Sequence, residues 1–343
     1  MDLNEILANE EKSFIIAEIG QNHDGSLGMA HSYIEACSNI GVNAIKFQTH
    51  IAEEESSLDD EFRINFSYQD RNRFEYWKRM EFTKAQWIQL KKHADDKGIK
   101  FFSTPFSVAA VELLSEIGIE GWKIGSGDTL SNEIIDLIIE TKKPTIVSTG
   151  MSKWDEINSL VNLFKSKNVN FSLMQCTSKY PTKLDQVGLN ILDKMKSKYK
   201  CRVGLSDHSG STSPSLAAIS RGFNLIEIHA TFDTRMFGPD VNASLTLEEI
   251  KSIIDFSKDL EFMNSNPVDK DSIAIELKKQ KLLFGRSLTL KNNLSKGHII
   301  TRDDLTLKKP GTGIPIENLP DILGKRLRTD VKKNRILKRG EIE

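Results

Sequence analysis

Cysteine is scarce: the 343 residues hold three, Cys37, Cys176 and Cys201. No two form a C-x-x-C pair, which excludes a thiolate zinc site and a disulfide framework. The scarcity fits a reducing compartment, so a cytoplasmic protein is expected. An excess of charge of one sign is also missing, with 47 basic and 48 acidic residues and a formal net charge of −1. Such a balance gives no whole-chain attraction to nucleic acid or to an anionic membrane. A local basic pocket for a small anion stays open. No apolar run approaches a membrane span. The opening MDLNEILANEEKS is acidic and lacks an apolar core segment, so no signal peptide is expected. No G-x-G-x-x-G follows the first candidate strand, which weighs against a dinucleotide-binding fold.

What is present is core-forming material, 38% hydrophobic and 28% charged residues, in a length that suits two domains or one large one. A short apolar run followed by a helical pattern recurs along the chain. The runs are FIIAEIG (Phe14–Gly20), VNAIKFQ (Val42–Gln48), KFFST (Lys100–Thr104), GWKIGS from Gly121, PTIVST from Pro144, FSLMQC from Phe171, CRVGLSD (Cys201–Asp207) and LIEIHA (Leu225–Ala230). They are apolar on both faces, as covered parallel strands are. Amphipathic segments lie between them, at Met29–Ile40, Lys84–Lys97, Val108–Ile117, Ser131–Thr141, Trp154–Lys165, Ser213–Ser220 and Thr246–Leu260. Eight such units in roughly 250 residues predict an α/β fold, a closed (β/α)8 TIM barrel.

The rhythm breaks twice. Residues 50–80 are long, charged and aromatic, and follow the second strand; a lid over the active-site end and a solvated insertion are equally compatible. The rhythm stops near Glu261. The barrel is therefore expected over 1–261, with a connector of helical character over 262–283. From Phe284 to the end, over 284–343, short β-runs alternate with Gly, Pro and Asn turns. This small β-rich domain, about 60 residues, is near the lower limit for independent stability and is expected to lean on the barrel or on a partner subunit.

In a (β/α)8 barrel the chemistry sits at the C-terminal strand ends. Nearly every candidate strand here ends in polar residues. Lys46, Lys123, Ser126, Ser148 and Ser206 supply ammonium and hydroxyl donors, and Gly125 and Gly127 allow close backbone approach; that set suits a phosphate beside a carboxylate. Buried lysines also serve as ion-paired struts, but two at separate strand ends beside serines favour anion binding. His208 and His229 end adjacent strands. Either alone is more often a packing residue; the pair, flanked by Asp207 and Asp240, points to one shared divalent cation. Mn2+, Mg2+, Fe2+, Co2+ and Zn2+ are not separable on this ground. Glu18, Asp128 and Asp240 are carboxylates for sugar hydroxyls or proton transfer; Asp128, ahead of a helical run, could equally cap it.

Taken in order, AEIGQNHDGSL, IKFQTH, FFSTPFS, WKIGSGD, IVSTGM, CTSKYPT, GLSDHSG and MFGPDVNASL resemble the N-acetylneuraminate (sialic acid) synthase family over nearly the whole chain. The tail GRSL…LSKGHIITRDDLTLKKPGTGI resembles the antifreeze-like (SAF) domain that ends these enzymes. The resemblance implies a phosphoenolpyruvate-dependent transferase that makes a sialic-acid-type nonulosonate and releases phosphate by C–O cleavage. It implies phosphoenolpyruvate binding by Lys46, Thr104, Lys123, Ser126, Ser148 and Ser206, with Ser178 beside them. It implies a metal on His208 and His229, Mn2+ ahead of Mg2+ or Co2+. Catalytic roles fall on Glu18, Asp240 and the two histidines, and sugar contacts on Gln48, Asp128, Tyr180 and Asp240. In this family the SAF domain covers the barrel mouth of the other subunit, which implies a domain-swapped homodimer with Lys309 reaching the sugar in trans.

Three departures bear on the sugar. Ser178 stands where the family usually has Asn, Ile228 precedes His229 where relatives commonly read Lys, and Lys309 replaces an Arg that could grip bidentately. They leave the chemistry intact and leave the sugar open among N-acetylmannosamine, its 6-phosphate, and the diacetamido-trideoxy hexoses that lead to legionaminic or pseudaminic acid. A pyruvate aldolase using Lys123 or Lys46 as a Schiff base is the rival from another class.

Overall fold

The computed structural model describes residues 3–62 and 66–343. The described chain forms two compact units that divide between Ser265 and Asn266. The first is built on eight parallel strands: β1 (Phe14–Glu18), β2 (Ala44–Thr49), β3 (Lys100–Pro105), β4 (Trp122–Ile124), β5 (Thr145–Ser148), β6 (Phe171–Cys176), β7 (Arg202–Asp207) and β8 (Leu225–Thr231). They pair in the order β3-β2-β1-β8-β7-β6-β5-β4. Pairing of β1 with both β2 and β8 rolls the sheet up, and β3 and β4 lie side by side at the seam. This is the TIM barrel the strand–helix rhythm predicts.

Side chains alternate between the barrel interior and the helical shell, as the pleat requires. Phe14, Ile16, Ala44, Phe102, Ile146, Met174 and Leu225 form one interior cluster. Two residues further along the same strands stand Glu18, Lys46, Thr104, Ser148 and Glu227. The interior is thus apolar below and polar above, on one parity of each strand. The other parity, including Ile15, Ala17, Ile45, Phe47, Phe101, Val147 and Ile226, packs against the helices.

The helices begin and end on local signals. Helix Leu27–Ile40 is capped by the Ser26 hydroxyl, which accepts from the Met29 amide, and stops at Gly41 with φ 85°. Helix Lys84–Asp96 starts on a reciprocal Thr83/Gln86 capping box. Outside the segment 50–80, two helices of the barrel unit carry no expectation from the strand–helix rhythm. Leu189–Tyr199 fills the place between β6 and β7, burying Leu192, Met195 and Tyr199 under a lysine-rich face. Leu3–Ala8 closes the N-terminal end of the barrel, where Leu3 and Leu7 join the interior cluster. The Arg202 guanidinium ties that segment down, donating to the carbonyls of Asn9 (3.0 Å), Lys12 (2.9 Å) and Asn224 (2.9 Å).

The segment 50–80 is folded where it is described; residues 63–65 lie outside the described residues. It carries helices Ala52–Glu55 and Arg73–Met80. Arg79 bridges Asp70 (2.8 Å) and Asp24 (2.6 Å), and the Glu81 carboxylate accepts from the Ala52 amide at 2.7 Å.

The barrel's last helix, Leu247–Ser265, runs four residues into the stretch expected as connector. The second unit carries helices Lys270–Glu276 and Lys278–Phe284, then an antiparallel pair, β9 (Ser287–Leu290) and β10 (Leu305–Lys308). Single bridges such as Leu294 to Val331 and Leu327 to Ile342 extend it. Leu288, Leu290, Ile300, Leu305, Leu327 and Leu337 are buried in a core of its own. Lys309 holds its ammonium 5.4 Å from the centre of the Phe284 ring. Among the described residues no helix is long and apolar enough to cross a membrane.

Candidate active site

Four charges alternate in sign across the upper barrel interior. Lys46 Nζ lies 2.6 Å from Glu18 Oε2 and 3.9 Å from Glu227 Oε1. Lys123 Nζ lies 3.2 Å from the same Glu227 oxygen. All four side chains are at most 4% exposed. Hydroxyls complete the set: Lys46 donates to Thr104 Oγ1 (3.2 Å), Lys123 to Ser148 Oγ (2.7 Å), and Ser206 Oγ to Glu227 Oε1 (2.9 Å). Burial alone would neutralise these groups; pairing keeps them charged. For Lys46 the neighbouring Glu18 and Glu227 outweigh burial and raise the pKa. For Lys123 burial wins over Glu227 and lowers it. Burial pushes Glu227 up, but Lys123, Lys46 and the Ser206 hydrogen bond together pull it down.

Glu227 has no place in the sequence-based site, yet it joins both lysines. Its signal was a single Glu inside the apolar run LIEIHA, on the same parity as His229 and the interior residue Leu225. Both lysines are therefore charge-compensated within the barrel. An ammonium has three hydrogens; within hydrogen-bond reach Lys46 meets Glu18 and Thr104, and Lys123 meets Glu227 and Ser148, so one donor remains on each.

Ser126 and Ser178 come together on neighbouring loops. Ser178 Oγ donates to Ser126 Oγ at 3.1 Å, and Ser126 accepts from the Met151 amide at 2.8 Å. Gly150 permits this, since a Cβ there would meet Cys176 Sγ at 2.5 Å and Ser178 Oγ at 2.7 Å.

The two imidazoles lie side by side, ring centres 5.3 Å apart and 62° between planes. His208 Nδ1 is 3.0 Å from the Thr177 carbonyl, which assigns its proton to Nδ1 and leaves Nε2 as a lone pair. Burial, helped by His229, holds His208 neutral with a pKa of about 3. His229 Nδ1 is buried without a hydrogen-bond partner and stands 3.7 Å from Asp240 Oδ2. Gly20, at φ 50°, allows that approach: a Cβ there would sit 2.7 Å from Asp240 Oδ2. Of the two flanking acids, Asp240 is the one in ion-pair reach of His229. Asp207 is engaged by the Ser209 hydroxyl at 2.6 Å. A neutral His208 beside a His229 whose Nδ1 has no hydrogen-bond partner suits a divalent cation. No group of three or more His, Cys, Asp or Glu able to hold a metal occurs among the described residues.

The expected sugar residues divide. Gln48 Nε2 donates to Glu18 Oε1 at 2.8 Å, within the charged group. The Tyr180 hydroxyl is 3.2 Å from His208 Nε2, and its ring lies over the same imidazole, 4.4 Å between centres. Asp128 stands on the loop after β4. Burial, then the charge of Glu55, raises it to about 6, against the opposing Ser131 and His50. It is not a helix cap, since Ser131 occupies that position. Lys309 belongs to the second unit.

A barrel with buried anion-type donors and an imidazole pair at its strand ends is an enzyme of the barrel-synthase kind. The NeuB family model matches residues 33–268 and the SAF domain model residues 285–343, so the chain belongs to the NeuB family and carries a SAF domain. It is 31% identical over 334 residues to the N,N'-diacetyllegionaminic acid synthase of Campylobacter jejuni, covering 96% of this chain and 99% of that one. It is 31% identical over 339 residues to a pseudaminic acid synthase of the same species, covering 97% and 98%. Among solved structures it resembles the N-acetylneuraminic acid synthetase of Leptospira borgpetersenii in complex with citrate, with a TM-score of 0.69 at 30% identity, over 79% of this chain and 92% of that one. The chain is a nonulosonate synthase.

Proposed function

We propose that the barrel mouth joins phosphoenolpyruvate to the aldehyde carbon of an open-chain N-acylated amino sugar. The enol carbon C3 attacks the aldehyde, water adds at C2, and phosphate leaves by cleavage of the C2–O bond. The observation that carries this reading is the compensated quartet of Glu18, Lys46, Glu227 and Lys123 beside the His208–His229 imidazole pair. Lys46 and Lys123, with Thr104, Ser148 and Ser206, offer fixed donors to the phosphate and carboxylate. Ser126 and Ser178 offer a second hydroxyl pair. Held donors orient a substrate that is otherwise slow to react.

His208 and His229 would hold a divalent cation, with Mn2+ ahead of Mg2+ or Co2+, and it supplies positive charge where the sugar's carbonyl oxygen becomes negative. Glu18 and Asp240 are placed to move protons, and Gln48, Asp128 and Tyr180 to bind the sugar. A homodimer in the cytoplasm, with Lys309 contributed by the partner subunit, belongs to the same reading. Exposed apolar residues of the second unit support a partner: Val268 is 71%, Ile275 74% and Phe284 62% exposed.

The test is a substrate panel. N-acetylmannosamine, its 6-phosphate and the diacetamido-trideoxy hexoses are each incubated with phosphoenolpyruvate and one defined metal. Phosphate release and a product mass equal to the sum of the sugar and pyruvate are expected from one of them. No release from any would refute the reading.

A further inference from the structure

The His50 ring lies flat between two aromatic faces, Trp77 at 4.0 Å and 9° and Phe106 at 4.7 Å and 6°. One edge meets Glu55: Nδ1 is 2.6 Å from Oε1. A carboxylate oxygen accepts, so Nδ1 donates to it and Nε2 of that tautomer is an acceptor, 3.2 Å from Gln48 Oε1. Gln21 Nε2, 3.1 Å away, donates to it. The second Gln21 hydrogen goes to Gln48 Oε1 at 2.5 Å. Gln48 in turn donates to Glu18, which meets Lys46. From the other end Glu18 accepts from the Gln48 amide and so turns Gln48 Oε1 toward Gln21, so the two amides are held between the Glu18 and Glu55 carboxylates.

Both hydrogens of Gln21 are thereby used. Its Oε1 is left buried and without a partner, in a residue 4% exposed. The Gln21 backbone amide meets Asp240 Oδ2 at 3.3 Å, which places the residue beside the carboxylate that faces His229. A buried amide oxygen with no donor is unusual and costly unless something else supplies the donor.

We propose that Gln21 is a specificity-determining residue: its Oε1 accepts a hydrogen bond from an O–H or amide N–H of the acylamino sugar, with Glu55 and His50 as positioning residues. The inference rests on the proposed reaction and adds a contact to it. An acceptor that cannot turn round selects a donor. A sugar presenting hydroxyl or N–H at that point binds, and one presenting hydrogen, methyl or a phosphate oxygen is rejected.

Gln21→Met keeps the length and removes the polarity. With the sugar that the wild type turns over, its sugar KM should rise about 10-fold or more while the phosphoenolpyruvate KM stays within about twofold. Glu55→Leu should raise the sugar KM alone, and Glu55→Gln, whose amide oxygen accepts the same proton, should restore it. Deoxy and N-methyl analogues identify the contact. The analogue lacking the donor should bind the wild type poorly, and Gln21→Met should no longer distinguish it from the parent sugar. An unchanged sugar KM, retained discrimination in Gln21→Met, or an equal rise in both KM values with a lower melting temperature would overturn the assignment. A wild-type chain that releases phosphate with no sugar at all would overturn the parent reading, and this inference with it.

Discussion

Lys123 and Glu227 meet at 3.2 Å inside the barrel, on strands β4 and β8, and each is at most 4% exposed at the side chain. Neither would stay charged there alone. Glu227 also reaches Lys46 and accepts from Ser206, so one carboxylate organises donors contributed by β2, β4 and β7.

Removing that carboxylate's charge exposes the dependence. Glu227→Gln leaves two buried ammonium groups facing one remaining carboxylate, Glu18. Breaking a buried pair costs about 3–5 kcal/mol, so urea denaturation should show a loss of that order. Phosphoenolpyruvate should then raise the melting temperature of Glu227→Gln more than that of the wild type, since its negative charge replaces the lost one.

Lys123 is the sharper test of the anion site. Lys123→Ala deletes a charge-assisted donor and should raise the phosphoenolpyruvate KM on the order of 100-fold. The sugar KM should change little. Steady-state kinetics with each substrate varied in turn separates the two.

The imidazole pair predicts a metal requirement. His229→Ala should lose Mn2+ binding, followed by paramagnetic resonance, and lose turnover while circular dichroism stays unchanged. Chelator should silence the wild type, and borohydride with pyruvate should trap nothing. The Schiff-base alternative predicts the reverse outcome for both reagents. Near-normal rates in metal-free His229→Ala would end the ligand assignment.

His23 makes the fold acid-labile. Burial, then the neighbouring His50 and Arg79, holds its pKa at about 3, and its Nδ1 accepts from the Gly25 amide at 3.1 Å. The unfolded chain takes up a proton near the ordinary value of 6.5, whereas the folded chain resists until about 3. Between those values the unfolded state binds more protons, so stability falls as pH falls, by about 1.4 kcal/mol per pH unit for this group. His23→Gln should show a shallower slope in urea midpoints between those two pH values.

Much of this was legible along the chain. Eight apolar runs with polar ends imply a parallel barrel, because covered strands need apolar residues on both faces and the ends face the solvent. Lys46, Thr104, Lys123, Ser148, His208 and His229 carry their signal locally, as polar groups at those ends. The helix Leu189–Tyr199 was less visible, its three buried residues diluted by lysines. Glu227 was hidden differently: a lone Glu in an apolar strand reads as a local oddity until two lysines from other strands surround it.

The amino-acid sequence by itself determined the strand and helix rhythm, the polar rim, the family and the separate tail, all of which rest on local pattern or on ordered motifs. Tertiary structure alone decided charge and direction. Whether a lysine stands free or compensated depends on carboxylates brought from strands distant in sequence. Which way the Gln21 and Gln48 amides face depends on Glu18 at one end and, at the other, on Glu55 and His50, held between Trp77 and Phe106. Those are properties of distance and burial, and a sequence carries neither.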